Sequence, residues 1–237
     1  LGSSGDDVAF ASATDSSGNV YAAGYTEGGF DGNTHPGNYD IFLVKYDTNG
    51  NKQWHKEYGT SDNETIFDIA TDASDDVYVA GYTGGTFPNN TSEGDDDIIV
   101  IKYDSDGDMK WTKQYGSSGS DYARGISLDS SNNIYVTGDT SDSFDNSRDC
   151  DNRSVDNYGS EDLFLIKFLD NSSVVWTKQM GTFSNDVAFE VATDSFGNSY
   201  VTGYTGSSLD SNPHSGELDL FLIKYNKYGE CKWTKQL

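Results

Sequence analysis

The sequence predicts an all-β chain, a β-propeller segment of four tandem four-stranded antiparallel blades. Three observations predict it: a 57-residue internal repeat, four strand-like runs in each repeat, and turn residues placed where tight hairpins need them. Trp54, Trp111, Trp176 and Trp233 are spaced 57, 65 and 57 residues apart, as are Lys45, Lys102, Lys167 and Lys224. Asp15, Asp72, Asp129 and Asp194 run 57, 57 and 65, and Gly24, Gly81, Gly138 and Gly203 do the same. The third repeat therefore carries eight extra residues between Phe144 and Asp162.

The first run is VAFASAT at Val8–Thr14, with counterparts TIFDIAT, YARGISL and VAFEVAT. VYAAGYT at Val20–Thr26 and IFLVKY at Ile41–Tyr46 begin the second and third sets, and the segment around each Trp is the fourth. β-Branched and aromatic residues dominate, as strands prefer. The third run is apolar on both faces, so both faces are expected to be covered. With no long helical pattern to cover them, copies of the sheet itself must do so. Gly18, Asp75, Asn132 and Gly197 share one hairpin position, and Gly50, Gly107, Ser172 and Gly229 another. All but Ser172 are types that tolerate φ > 0. Blade boundaries are expected near residues 2–58, 59–115, 116–180 and 181–237.

Gly2, Gly59, Gly116 and Gly181 are equivalent, so the chain is four repeats in phase. A four-bladed ring, two chains forming an eight-bladed ring, and a piece of a longer array all fit. Aromatic residues, 14% of the chain, supply apolar area that a hydrophobic content of 34% would otherwise lack. A net charge of −24 repels phosphate backbones and argues against a nucleic-acid partner. No apolar run reaches the roughly 18 residues of a membrane helix, so no membrane insertion is expected. No basic and apolar leader precedes the first repeat, so a targeting segment is expected to be removed or to lie outside this sequence.

The stretch GSSGDDVAFASATDSSGNVYAAGYT … YDIFLVKYDTNGNKQW resembles the SBBP family of bacterial-type β-propeller repeats along the whole chain. The shared pieces are the D-x-x-G-N-V-Y hairpin, Gly-Tyr-Thr after strand two, an Asp before strand three, the K-Y-D-x-x-G turn and the Trp strand. Phe87-Pro88 matches the family's Phe-Pro, whereas Phe30, Phe144 and Leu209 keep only the apolar residue. Asp139 stands where Tyr is usual, and Leu169-Asp170-Asn171 replaces the Asp-led turn. The resemblance implies a secreted or cell-surface protein and names no ligand.

Candidate sites follow from the repeat. Asp7, Glu64, Asp121 and Asp186 precede the first strands, and a ring of their carboxylates is a candidate Ca²⁺ site, since hard cations take several oxygen ligands. The alternative is that each accepts hydrogen bonds from loop N–H groups. Asp40, Asp97, Asp162 and Asp219 form a second set before strand three, with His35 and His214 five residues ahead of two of them. His55 stands where the other repeats have Thr.

The insertion Asp145–Glu161 is the one asymmetric element and holds Arg148, Arg153, Tyr158 and Cys150, making it the candidate binding loop. Tyr25 and Tyr204 are candidate sugar contacts in a lectin reading. Asn63, Asn89, Asn90, Asn152 and Asn171 open glycosylation sequons, all in expected loops or turns. Cys150 and Cys231 are expected to remain unpaired with each other, because about 20 Å of strand separates the loop faces assigned to them.

No Ser elbow, HExxH or Cys–His arrangement is present, so no enzyme activity is expected. The function expected is a non-enzymatic extracellular or cell-surface binding or structural module, an adhesin or appendage subunit. Its partners would be a surface protein, a glycan or copies of itself. A lectin is the alternative, and a glycoside-processing enzyme the more distant one, since paired carboxylates abound.

Overall fold

The computed structural model describes residues 2–32, 36–144, 150 and 159–237. The chain divides into two compact units, Leu1–Tyr115 and Gly116–Leu237. Unit one holds two sheets. Blade one is β1 (Asp7–Thr14), β2 (Val20–Thr26), β3 (Asp40–Tyr46) and β4 (Lys52–Tyr58). Blade two is β5 (Glu64–Thr71), β6 (Val77–Thr83), β7 (Asp97–Tyr103) and β8 (Met109–Tyr115). Unit two holds blade three, with β9 (Asp121–Leu128), β10 (Ile134–Thr140), β11 (Asp162–Phe168) and β12 (Val174–Met180). Its blade four is β13 (Asp186–Thr193), β14 (Ser199–Thr205), β15 (Asp219–Tyr225) and β16 (Cys231–Gln236).

Each sheet is an antiparallel meander in chain order. The two middle strands therefore pair on both sides, and the first strand and the Trp strand are edges. The only helices among the described residues are two three-residue 3₁₀ turns, at Phe30–Gly32 and Leu209–Ser211. None is long and apolar enough to cross a membrane.

Hairpin chemistry accounts for the repeated Asp. In blade one, the Asp15 carboxylate accepts from the Ser17 and Asn19 N–H groups at 3.1 and 2.8 Å, from the Asn19 amide at 2.7 Å and from the Tyr21 hydroxyl at 3.2 Å. Lys45 Nζ lies 3.2 Å away. Asp72, Asp129 and Asp194 hold their own hairpins in the same way. Burial works against ionisation of Asp15, but these donors outweigh it and hold its carboxyl at about 2. Asp194, held chiefly by Asn198, also sits at about 2.

The turn positions singled out in the sequence have φ between +57° and +80° in all eight hairpins. Ser172 belongs among them at +66°, and the Leu169-led turn closes with the same pair of backbone hydrogen bonds as the Asp-led ones.

Every first strand is bulged, at Phe10, Phe67, Arg124 and Phe189. The repeated Gly of strand two lies against that bulge. A Cβ on Gly24, Gly81, Gly138 or Gly203 would stand 1.8–1.9 Å from the carbonyl oxygen of Val8, Thr65, Tyr122 or Val187. The approach of two backbones, rather than an unusual φ, demands glycine here.

In unit one, Ile41 and Leu43 of blade one bury against Ile66, Val79, Ile99 and Ile101 of blade two. In unit two, Leu163 and Leu165 of blade three bury against Val191, Val201, Phe221 and Ile223 of blade four. Within each unit, one face of the third strand is thereby covered by the neighbouring blade.

One expectation is overturned. Cys150 and Cys231 are bonded to each other, with Cα atoms 4.9 Å apart. The expectation placed Cys150 by the strand ends that flank its loop. Cys150 is the sixth residue after Phe144, and a chain of that length spans about 20 Å when extended, the full length of a strand. That reach is enough to bring Cys150 to Cys231, where it packs with Trp176.

Candidate binding site in the third and fourth blades

Three positions meet at the bulge of each blade: the bulged residue, its neighbour on strand two, and the residue just before strand three. In blade one they are Phe10, Tyr25 and Tyr39, with Phe10 6.0 Å and Tyr39 4.6 Å from the Tyr25 ring centre. In blade two Phe67 stacks on Tyr82 at 5.9 Å, and Phe10 also meets Phe67 edge-on at 5.4 Å. Blade four pairs Phe189 with Tyr204 at 5.7 Å.

Blade three departs at the first two positions at once, with Arg124 and Asp139, and has Glu161 at the third, where the other blades have Tyr39, Asp96 and Leu218. Arg124 Nε donates to Asp139 Oδ1, and its Nη2 to Oδ2 at 3.3 Å. The guanidinium carbon lies 5.7 Å from the Tyr122 ring centre and 5.8 Å from that of Phe189, so the charge is sandwiched between aromatic faces. The Asp139 side chain is 1% exposed and that of Arg124 29%. Burial pushes the Asp139 carboxyl up, and Arg124 offsets this only in part. Glu161 is raised by burial and by Asp139, and the Tyr204 hydroxyl by burial, Glu161 and Asp139. Arg124 keeps its charge because Asp139 outweighs the cost of burial.

Glu161 ends the insertion, and its carbonyl accepts from the Asp186 N–H at 2.8 Å. Both repeat-specific features, the charged triplet and the Cys150 insertion, therefore belong to blade three and reach onto blade four. Of the sequence candidates, Tyr204 belongs to this cluster and Tyr25 to its aromatic counterpart in unit one. Arg148, Arg153 and Tyr158 lie outside the described residues, as do His35 and Asn152.

The candidate Ca²⁺ ligands are held separately. Asp7 accepts from Ser3 N and Oγ at 2.7 and 3.0 Å, and Glu64 from Thr60 N and Oγ1 at 2.7 and 2.6 Å. Asp121 accepts from Ser117 N at 2.6 Å, and Asp186 from Thr182 N and from its Oγ1 at 2.9 Å. Each carboxylate thus closes its own loop onto the first strand. Among the described residues no three His, Cys, Asp or Glu side chains stand together as metal ligands.

The second acidic set has a different role. Gln114, Gln179 and Gln236 of the Trp strands donate to Asp97, Asp162 and Asp219 at 2.7, 3.0 and 2.8 Å. His214 Nδ1 lies 3.0 Å from Asp219. His55, in place of Thr, packs on the Phe30 ring at 5.7 Å. Asn89 and Asn171 are exposed. The Asn90 amide donates to Pro88 O and Thr112 Oγ1, at 3.1 and 2.9 Å. The Asn63 Oδ1 is buried.

The charged triplet was missed in the sequence because Arg124 and Asp139 are fifteen residues apart in different runs. Aligning the four repeats position by position would have shown both departures in the same repeat. The model of the SBBP family, described as a beta-propeller repeat, matches residues 53–88, 110–145 and 175–210. The chain is built of SBBP beta-propeller repeats. An uncharacterized WD repeat-containing protein of Acanthamoeba polyphaga mimivirus is 23% identical over 223 residues. The regulatory protein FlaEY of Caulobacter vibrioides is 26% identical over 198 residues. Each alignment covers 76% of this chain, yet only 16% and 20% of those relatives. The SBBP chain thus spans a fifth or less of their length.

Proposed function

We propose that this SBBP chain is a non-enzymatic binding module working at the cell surface or outside the cell, with blades three and four as its recognition surface. The observation that carries the reading is the Cys150–Cys231 bond, which ties the one repeat-specific insertion to the last blade. Disulfides persist in oxidising compartments, so the bond supports an extracellular setting. Pinning a segment at one residue lowers the ordering cost of binding through it. An adhesin or appendage subunit is the role such a surface suits. Asp139 is locked onto Arg124, so this cluster leaves no free carboxylate pair of the kind a glycosidase uses.

The test is peptide mapping of the chain recovered from its natural setting without reductant. A Cys150–Cys231 cross-linked peptide is expected, and two free thiols would overturn the extracellular reading. The lectin reading rests on the Phe10, Tyr25, Tyr39, Phe67 and Tyr82 rings, since aromatic faces stack on sugars. Binding on a glycan array that Tyr25→Ala abolishes would favour it. Binding lost instead in Arg124→Ala or Glu161→Gln would place recognition on blades three and four.

A further inference from the structure

In blade four, and in no other blade, both tight hairpins end in an aromatic ring. The β13–β14 turn reads Asp194-Ser195-Phe196-Gly197, and the β15–β16 turn Asn226-Lys227-Tyr228-Gly229. Ser17, Ser74 and Ser131 stand at the Phe196 position in the other blades, and Asn49, Asp106 and Asn171 at that of Tyr228. All six of those polar residues are exposed, including the ones in blades one and three, each of which packs on a following blade within its own unit. Exposure therefore belongs to the turn position itself. Blade four changes only what is displayed there: Phe196 is 79% exposed and Tyr228 68%.

The two tips are neighbours with fixed backbones. Asp194 Oδ1 accepts from the Phe196 N–H at 2.9 Å, and Asn226 Oδ1 from the Tyr228 N–H at 3.0 Å. Blade three anchors both hairpins. The Tyr135 hydroxyl donates to the Gly197 carbonyl at 3.2 Å, and Lys167 Nζ to the Lys227 carbonyl at 3.4 Å. A Cβ on Gly197 would lie 3.2 Å from that of Lys227, so the hairpins run side by side. Aromatic rings held among Ser, Gly and Asn lose little freedom when covered, which is what makes that composition effective in binding loops.

Charge changes at the same place. Asp47 and Asp104 lead the equivalent hairpins of blades one and two, where blade four has the neutral Asn226. Lys227 stands where the other blades have Thr48, Ser105 and Asp170, and its ammonium lies 5.1 Å from the Tyr228 ring centre. Glu230, the one acid of this hairpin, is taken by Lys232 at 2.7 Å.

We infer that the Phe196 and Tyr228 tips dock a protein segment that is apolar and carries one carboxylate. The rings cover its apolar side chains, and Lys227 meets the carboxylate. The remainder of the partner is neutral or basic, because a chain of −24 repels a strongly acidic one. The inference rests on blades three and four being the recognition surface, and adds these two turns to it.

Selection of a random dodecapeptide phage library on the intact, disulfide-bonded chain tests it. Enriched peptides should carry aromatic or aliphatic residues beside a single Asp or Glu. A synthetic peptide of that kind should bind Phe196→Ser and Tyr228→Asn at least about tenfold more weakly in fluorescence anisotropy, the scale of an interface hot spot. Both substitutions use residue types that other blades carry at the same turns, so the variants should melt with the parent. Exchanging the peptide's Asp or Glu for the amide should weaken binding to the parent but not to Lys227→Thr. No enrichment, equal binding to Phe196→Ser and Tyr228→Asn, or an amide peptide that binds the parent undiminished overturns the inference. Peptides that Arg124→Ala loses and the tip variants keep overturn it too, while leaving blades three and four as the recognition surface. Tip-dependent binding to phosphatidylcholine vesicles or to a neutral glycan, with no peptide selected, overturns the assignment of a protein partner.

Discussion

Cys150 and Cys231 lie 81 residues apart in sequence and are bonded across two blades, with their Cα atoms 4.9 Å apart. A cross-link closing a loop of that size restricts the unfolded chain strongly, by about 4–5 kcal/mol in the chain-entropy account. Cys150→Ser, or reduction, should therefore lower the melting temperature of unit two by about 10 °C, at the 2–4 °C per kcal/mol usual for domains of this size. Calorimetry with and without reductant measures it, and the Cys150→Ser variant should be insensitive to reductant.

The Arg124–Asp139 pair yields a double-mutant prediction. Arg124→Ala strands an almost fully buried carboxylate and should cost about 3–5 kcal/mol in denaturant unfolding. Arg124→Phe combined with Asp139→Tyr restores the aromatic pair found in the other three blades. That double variant should be as stable as the parent or more so, since apolar replacements of buried ion pairs are often neutral or stabilising. A double variant as weak as Arg124→Ala would show that the ion pair is needed for folding.

Acid should act in two stages of opposite sign. Glu64 and Asp186 are raised by burial, so mild acid neutralises charges whose burial opposes folding, and stability should hold or rise as pH falls from 7 towards 5. Asp15 and Asp194 sit at about 2, below their unfolded value of 3.8. Their contribution is complete above that unfolded value and is lost as pH falls from about 4 through 2. Melting temperatures across pH 2–7 should show the plateau and then the drop. Asp15→Asn should flatten the acid limb.

Gly81→Ala is expected to cost at least about 3 kcal/mol, at the top of the usual range for overpacking, because the new methyl would meet the Thr65 carbonyl at 1.8 Å. Gly50→Ala, with open space around it, should cost only the strain of its positive φ, about 1 kcal/mol. Urea unfolding of the two variants side by side separates close approach from backbone conformation.

The four sheets were legible in the sequence because periodicity reports burial, and the repeat multiplied each signal by four. The hairpins were legible because Asp15 and its three counterparts act within a few residues of themselves. The acids at Asp7 and its counterparts were ambiguous for the same reason. A carboxylate repeated at a loop mouth reads alike whether it holds a metal or its own loop, and only the Ser3, Thr60, Ser117 and Thr182 contacts separate the two. The disulfide and the Arg124 cluster depend on where a long insertion travels and on contacts across strands. Neither leaves a periodic trace.

Gln179 accepts from the Phe144 N–H at 3.1 Å and donates to Asp162 at 3.0 Å, so one side chain grips both ends of the inserted loop. Gln114 and Gln236 bridge Phe87 to Asp97 and Leu209 to Asp219 in the same manner. The register of the sheet does not depend on how many residues lie between those ends. Blade three took on eight residues without altering the register of β10 on β11. The same brace makes the loops of blades two and four natural sites for grafting foreign segments, and lets a lineage exchange its recognition elements while the sheets beneath stay unchanged.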